Sequence, residues 1–148
     1  MPARRSTLRA HRRAFTLIEI LVVIAVIAIL ASLVAPNVFQ HVGTARSTTA
    51  RSQLEMLATA LDAYRLDTGR YPTSAQGLAA LETIPSIDPP STWRGPYLRR
   101  ALPVDPWGNP YVYLAPGDVN PTGYDLLSYG ADGRPGGEGE DADILGWQ

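Results

Sequence analysis

From Ile20 to Ala35 the chain reads ILVVIAVIAILASLVA without a charge, and the apolar run reaches back to Phe15 interrupted only by Thr16 and Glu19. As a helix, residues 15–35 extend about 31 Å, enough to cross the hydrocarbon core of a bilayer. Five arginines (Arg4, Arg5, Arg9, Arg12 and Arg13) precede the run, and the next basic residue is Arg46. That bias keeps the N-terminus on the cytoplasmic side of a single-pass segment. Residues 36–148 then suffice for one modest domain.

A cleaved secretory signal shares the basic head and the apolar stretch. Two features weigh against it: the run exceeds a usual signal core, and it continues through Pro36 into a further helical pattern. Glu19 is the sharper difference. A carboxylate inside an apolar segment costs a few kcal/mol and marks a functional position by default. Its nearest candidate partner is an amine created by cleavage close by.

The junction Arg12-Arg13-Ala14-Phe15-Thr16-Leu17-Ile18-Glu19 resembles the class III leader of type IV pilins and type II secretion pseudopilins. The resemblance implies removal of residues 1–14 by a prepilin peptidase, N-methylation of Phe15, and a role for Glu19 in assembly. Where that family usually carries Gly before the cut, this chain has Ala14, the next smallest residue.

Beyond the membrane run, Pro36 lacks the N–H that would reach the Ser32 carbonyl, so a kink or break is expected there. Related subunits pair that proline with a Gly eight residues earlier. Ala28 stands in its place here, and should keep the helix continuous further toward Pro36. Leu54, Leu57, Ala58, Leu61 and Tyr64 then fall at helical spacing, with Arg51, Glu55, Asp62 and Arg65 off the stripe. This pattern predicts an amphipathic helix with one face on a small domain, stopped at Gly69. Thr73-Ser74-Ala75-Gln76 offers a capping box for a short second helix through Leu81. Seven prolines between Ile84 and Pro110 predict a loop, and Tyr111–Ala115 with Tyr124–Tyr129 predict a hairpin. Two strands are marginal alone, so their apolar face must pack on the long helix.

Asp67-Thr68-Gly69-Arg70-Tyr71-Pro72-Thr73, Gln76-Gly77-Leu78, the run Leu102-Pro103-Val104-Asp105-Pro106-Trp107-Gly108-Asn109-Pro110-Tyr111 and the Gly-Asp-rich tail extend the likeness. Together they resemble the major pseudopilins of type II secretion systems, over nearly the whole of the chain that follows the leader. The resemblance implies an α+β, pilin-like fold: a long N-terminal helix, membrane-spanning in its first half, on a small antiparallel sheet with a C-terminal metal-binding loop. It divides the chain into a leader (1–14), a transmembrane and assembly helix (15–35) and a periplasmic domain (36–148). It also implies a homo-oligomeric filament anchored in the bacterial inner membrane. The implied partners are minor pseudopilins, the inner-membrane secretion platform and the prepilin peptidase.

Enzymatic chemistry has only carboxylates to work with. There is no cysteine, every basic residue is Arg, and the only histidines are His11, in the leader, and His41. Neither a His-based triad nor a Cys or His zinc site can be assembled. From Asp118 onward seven acidic residues face Arg134 alone, a net of −6, which excludes a nucleic-acid surface there.

That tail has two readings from its residues. Gly with acid is what a solvated, flexible segment uses. Hard cations such as calcium, however, take six to eight oxygens from carboxylates and carbonyls, and glycines let a loop wrap closely enough to supply both. The pseudopilin resemblance implies the second. By position it assigns calcium to Asp132, Asp143 and the Tyr129 backbone carbonyl, with Asp141 and then Glu140 as weaker matches because residues 136–142 vary in length in the family. A type IV pilin of an adhesive or motility fibre is the alternative, against which stand the missing C-terminal cysteines and the Gly-Asp tail.

Overall fold

The computed structural model describes residues 15–147, with the side chains of 33–41 excepted; the leader and Ala14 lie outside the described residues. Two units divide between Phe39 and Gln40. One helix, α1, runs Leu17–Thr68. Of the kink or break expected at Pro36, the break does not occur, since α1 continues through it. A proline inside a helix removes one hydrogen bond, and the good helix formers before it, Ala28 among them, carry the helix into the next turns.

In the first unit the apolar side chains described, from Phe15 to Ser32, are all exposed, with Leu17 at 88%. Among the described residues no helix is long and apolar enough to cross a membrane, and within the apolar run those side chains stop at Ser32.

The second unit is built on the later half of α1. Ala50, Leu54, Leu57, Leu61 and Tyr64 are buried at alternating steps of four and three residues, which places them on one helical face. Ala58, expected on this stripe, is only half-buried, and Ala60 is buried instead. Arg51, Glu55, Asp62 and Arg65 face solvent as the pattern requires. The helix stops at Gly69, whose φ is 79° and whose N–H donates to the Arg65 carbonyl at 2.7 Å.

The Thr73–Gln76 capping box forms in both directions: Thr73 N–H donates to Gln76 Oε1 at 2.9 Å, and Gln76 N–H donates to Thr73 Oγ1 at 3.3 Å. What it caps is a turn followed by a 3₁₀ helix at Leu78–Leu81 rather than a second α-helix. Gly77, between them at φ 62°, prevents a continuous α-helix.

The hairpin consists of β1 (Val112–Leu114) and β2 (Asp125–Ser128), antiparallel with Val112 opposite Leu127. A third strand, β3 (Ile144–Leu145), pairs with β2 on its other side, giving the order β1-β2-β3. Leu126 and Ile144 from the sheet join Tyr111, Leu98, Leu78, Leu81 and the α1 stripe in one core. Residues 82–111 form no helix or strand, in keeping with their prolines.

Candidate functional site

Between the end of β2 and the start of β3 the chain makes a single acidic excursion, from Tyr129 to Asp143, with a short 3₁₀ turn at Gly139–Asp141. Because both ends are strands of one sheet, the excursion is a closed loop and not a free tail. It folds on itself closely enough to require glycine. A Cβ at Gly130 would lie 2.6 Å from the Glu140 carbonyl oxygen, and one at Gly137 would lie 2.5 Å from that of Asp141. Both glycines also sit at positive φ, 66° and 86°. The Ala131 N–H donating to the Glu140 carbonyl at 2.9 Å ties the two limbs together.

The expected ligands sit in this loop with different surroundings. Asp132 is exposed, and its Oδ1 accepts the Arg134 N–H at 3.0 Å. Asp143 is partly buried; its Oδ2 accepts the Gly136 N–H at 3.0 Å, while its Oδ1 is buried and meets no hydrogen-bond donor. Tyr129, at the root of the loop, is half-buried and Asp141 is exposed. Among the described residues no group of three His, Cys, Asp or Glu side chains stands together to hold a metal. Two carboxylates with backbone carbonyls remain a donor set of the hard-oxygen kind that calcium uses. The orphaned Asp143 oxygen fits such a cation, since a buried lone pair without a donor is costly.

Glu140 behaves differently from the other acids. Its Oε2 accepts the Trp107 indole N–H at 3.0 Å and the Arg46 guanidinium at 3.1 Å, and these hydrogen bonds hold its carboxyl below the usual carboxylate range. Its oxygen is committed to protein donors, in keeping with its place as the weakest of the ligand matches.

Several supports of the loop carry no role in the motif reading. Asp105-Pro-Trp-Gly-Asn109 forms a turn whose three polar side chains all reach the β2 end or the loop. Asp105 Oδ2 accepts the Ser128 hydroxyl at 2.6 Å, Asn109 Nδ2 donates to the Gly130 carbonyl at 2.8 Å, and Trp107 reaches Glu140. The available signal was an Asp and an Asn bracketing a Pro-Trp-Gly turn, residues that bond local backbone and fix turn geometry.

At the other end of the chain Phe15 is exposed, and Glu19 lies exposed in the first turn of α1, its N–H donating to the Thr16 carbonyl at 3.1 Å. The junction's other half, Ala14, is outside the described residues.

The family model described as type II secretion system, protein G, matches residues 37–147, and that of the prokaryotic N-terminal methylation motif matches residues 9–35. The type II secretion system core protein G of Pseudomonas aeruginosa is 48% identical over 140 residues, covering 94% of this chain and 97% of that one. Its counterpart in Vibrio cholerae is 47% identical over 134 residues, covering 90% of each. Among solved structures, the major pseudopilin from the type 2 secretion system of enterohaemorrhagic Escherichia coli superposes with a TM-score of 0.63 at 41% identity, covering 76% of this chain and 95% of that one.

Proposed function

This chain belongs to the type II secretion system protein G family, and on that premise we propose how its segments serve a structural subunit of the pseudopilus. The observation that carries the role is the identity of 47–48% with core protein G over nine-tenths of the chain. The subunit polymerises into a periplasmic filament that drives folded proteins across the outer membrane.

Residues 15–35 cross the inner membrane after the leader is cut between Ala14 and Phe15. The uncharged run, the arginine-rich head and the methylation motif over residues 9–35 support this. In the filament Glu19 faces the Phe15 amine of a neighbouring subunit, because a carboxylate in an apolar bundle requires an opposite charge. The filament meets minor pseudopilins and the inner-membrane platform as it grows.

Calcium is the cation of the Tyr129–Asp143 loop. Asp132, Asp143 and the Tyr129 carbonyl would hold it, with Asp141 as a further oxygen donor. Bound there, it would supply positive charge that gathers the loop's oxygens. The chain's own part is to bring the two limbs together through Gly130 and Gly137 and to leave Asp143 Oδ1 without a competing donor.

The test is complementation. In a bacterium lacking its own major pseudopilin, this chain should restore appearance of the secreted proteins in the medium and yield shearable filaments when overproduced. Stable, membrane-inserted chain with neither secretion nor filaments would overturn the reading.

A further inference from the structure

Arg46 and Glu140 are 94 residues apart in sequence, yet the guanidinium meets the carboxylate near the middle of α1, in the turn after Gly43. Gly43 is buried in a helix interior, where glycine is a poor choice. A Cβ on it would lie 2.9 Å from Glu140 Cγ and 3.0 Å from Glu140 Oε1. The helix therefore gives up a side chain at the place where the loop's acid lies against it. Trp107 closes the third side through its indole N–H, from the turn whose Asn109 also holds the Gly130 carbonyl.

We propose that Glu140 is a positioning residue: a latch, received by Gly43, Arg46 and Trp107, that clips the Tyr129–Asp143 loop to α1 and so sets the loop's readiness for its cation. The proposal rests on the calcium reading given above for that loop. Glu140 spends its oxygen on Arg46 and Trp107, not on metal. The consequence is that order in the loop and order in the Gly43–Arg46 turn of the helix are linked.

The sign of one substitution separates this from plain electrostatics. Removing the positive charge of Arg46 near a calcium loop should tighten binding by Coulomb's law, whereas loss of a latch should weaken it. In the full chain in detergent micelles, calcium affinity is read by calorimetry, and order in residues 130–143 by amide exchange with and without chelator. Trp107 emission is isolated by difference from Trp107→Phe. Arg46→Ala, Glu140→Ala and Gly43→Ala should each weaken calcium binding about three- to tenfold, as loss of an ordinary net hydrogen bond would. Each should also speed exchange across the loop and shift Trp107 emission. Gly43→Ala should do so although it improves helix propensity. Glu140→Gln, which keeps an acceptor for Trp107, should recover part of the loss, and the Arg46→Ala/Glu140→Ala double variant should be no worse than the poorer single.

Unchanged or tighter binding in Arg46→Ala, with loop exchange unchanged, would overturn the latch. So would near-total loss of binding in Glu140→Ala and Glu140→Gln alike with Arg46→Ala neutral, which would make Glu140 a ligand. If the wild-type chain itself does not bind calcium, the calcium reading fails separately. The latch is then decided by exchange in the metal-free chain, where an Arg46→Ala profile equal to wild type overturns it.

Discussion

Ser128 donates its hydroxyl to Asp105 Oδ2 across 2.6 Å with both residues buried, which fastens the end of β2 to the Pro-Trp-Gly turn. The other carboxylate oxygen of Asp105 accepts the N–H groups of Trp107 at 3.1 Å and Asn109 at 2.7 Å. Asp105→Ala leaves these donors unsatisfied and should cost roughly 3 kcal/mol. Asp105→Asn keeps an acceptor for the turn and should cost less. Thermal unfolding of the two variants checks this, and an Ala variant melting with the wild type would refute it.

The elements that follow a period are the legible ones. The α1 stripe repeats over several turns, and the Tyr111–Ala115 and Tyr124–Tyr129 runs contain β1 and β2 within a residue or two. β3 has only two residues, Ile144 and Leu145, too few to show alternation; they pair only because β2 offers them an edge. The box at Thr73–Gln76 is legible as a cap but not as to what it caps, since Gly77 decides that one residue later. In the acidic loop, Asp132 and Asp143 are singled out as expected oxygen donors by the pseudopilin resemblance, whereas composition shows only acids among glycines. Composition cannot tell Glu140 from its neighbours, because the distinction is made by Arg46 and Trp107, 94 and 33 residues away.

Acid should unfasten the β1–β2 connection. Burial pushes the Asp125 carboxyl up, but the backbone N–H groups of Val119 and Asn120, at 2.8 and 3.0 Å, and the Asn120 amide outweigh it and hold the group below its usual range. A folded pKa below the unfolded one means the contribution is complete above the ordinary carboxylate range and is lost as pH falls through the lowered value. Stability measured by denaturant between pH 5 and pH 2, taken as roughly the span of a lowered carboxylate, should therefore fall less steeply in Asp125→Asn than in the wild type. Parallel pH profiles would remove Asp125 from the acid response.

Glu19 should matter between subunits and not within one. Glu19→Ala should insert and lose its first 14 residues as the wild type does, leaving a methylated Phe15 by intact mass, because the cut proposed above, between Ala14 and Phe15, lies upstream of it. It should fail to assemble, since the carboxylate proposed to offset a neighbour's amine is gone. Wild-type filament yield from Glu19→Ala, or mature filament retaining Met1, would each contradict the assignment.

The final prediction concerns the orphaned oxygen of Asp143. Without a cation, Asp143 Oδ1 is buried with no donor, while Oδ2 is already satisfied by Gly136. A cation that binds only the folded chain stabilises it by mass action, and extracytoplasmic calcium sites commonly bind at about 10⁻⁴ to 10⁻³ M. At calcium about tenfold above such a constant the gain is roughly 1.4 kcal/mol, a rise of about 3–11 °C for a domain of this size. Asp143→Asn keeps an acceptor for the Gly136 N–H but removes the charge, so in chelator it should melt near the wild type and in calcium it should show little of the rise. Magnesium, which demands a tighter octahedral shell, should substitute poorly. If chelator and calcium give the wild-type chain the same melting curve, and Asp143→Asn behaves identically in both, the loop is held by its protein contacts alone and the cation assignment fails.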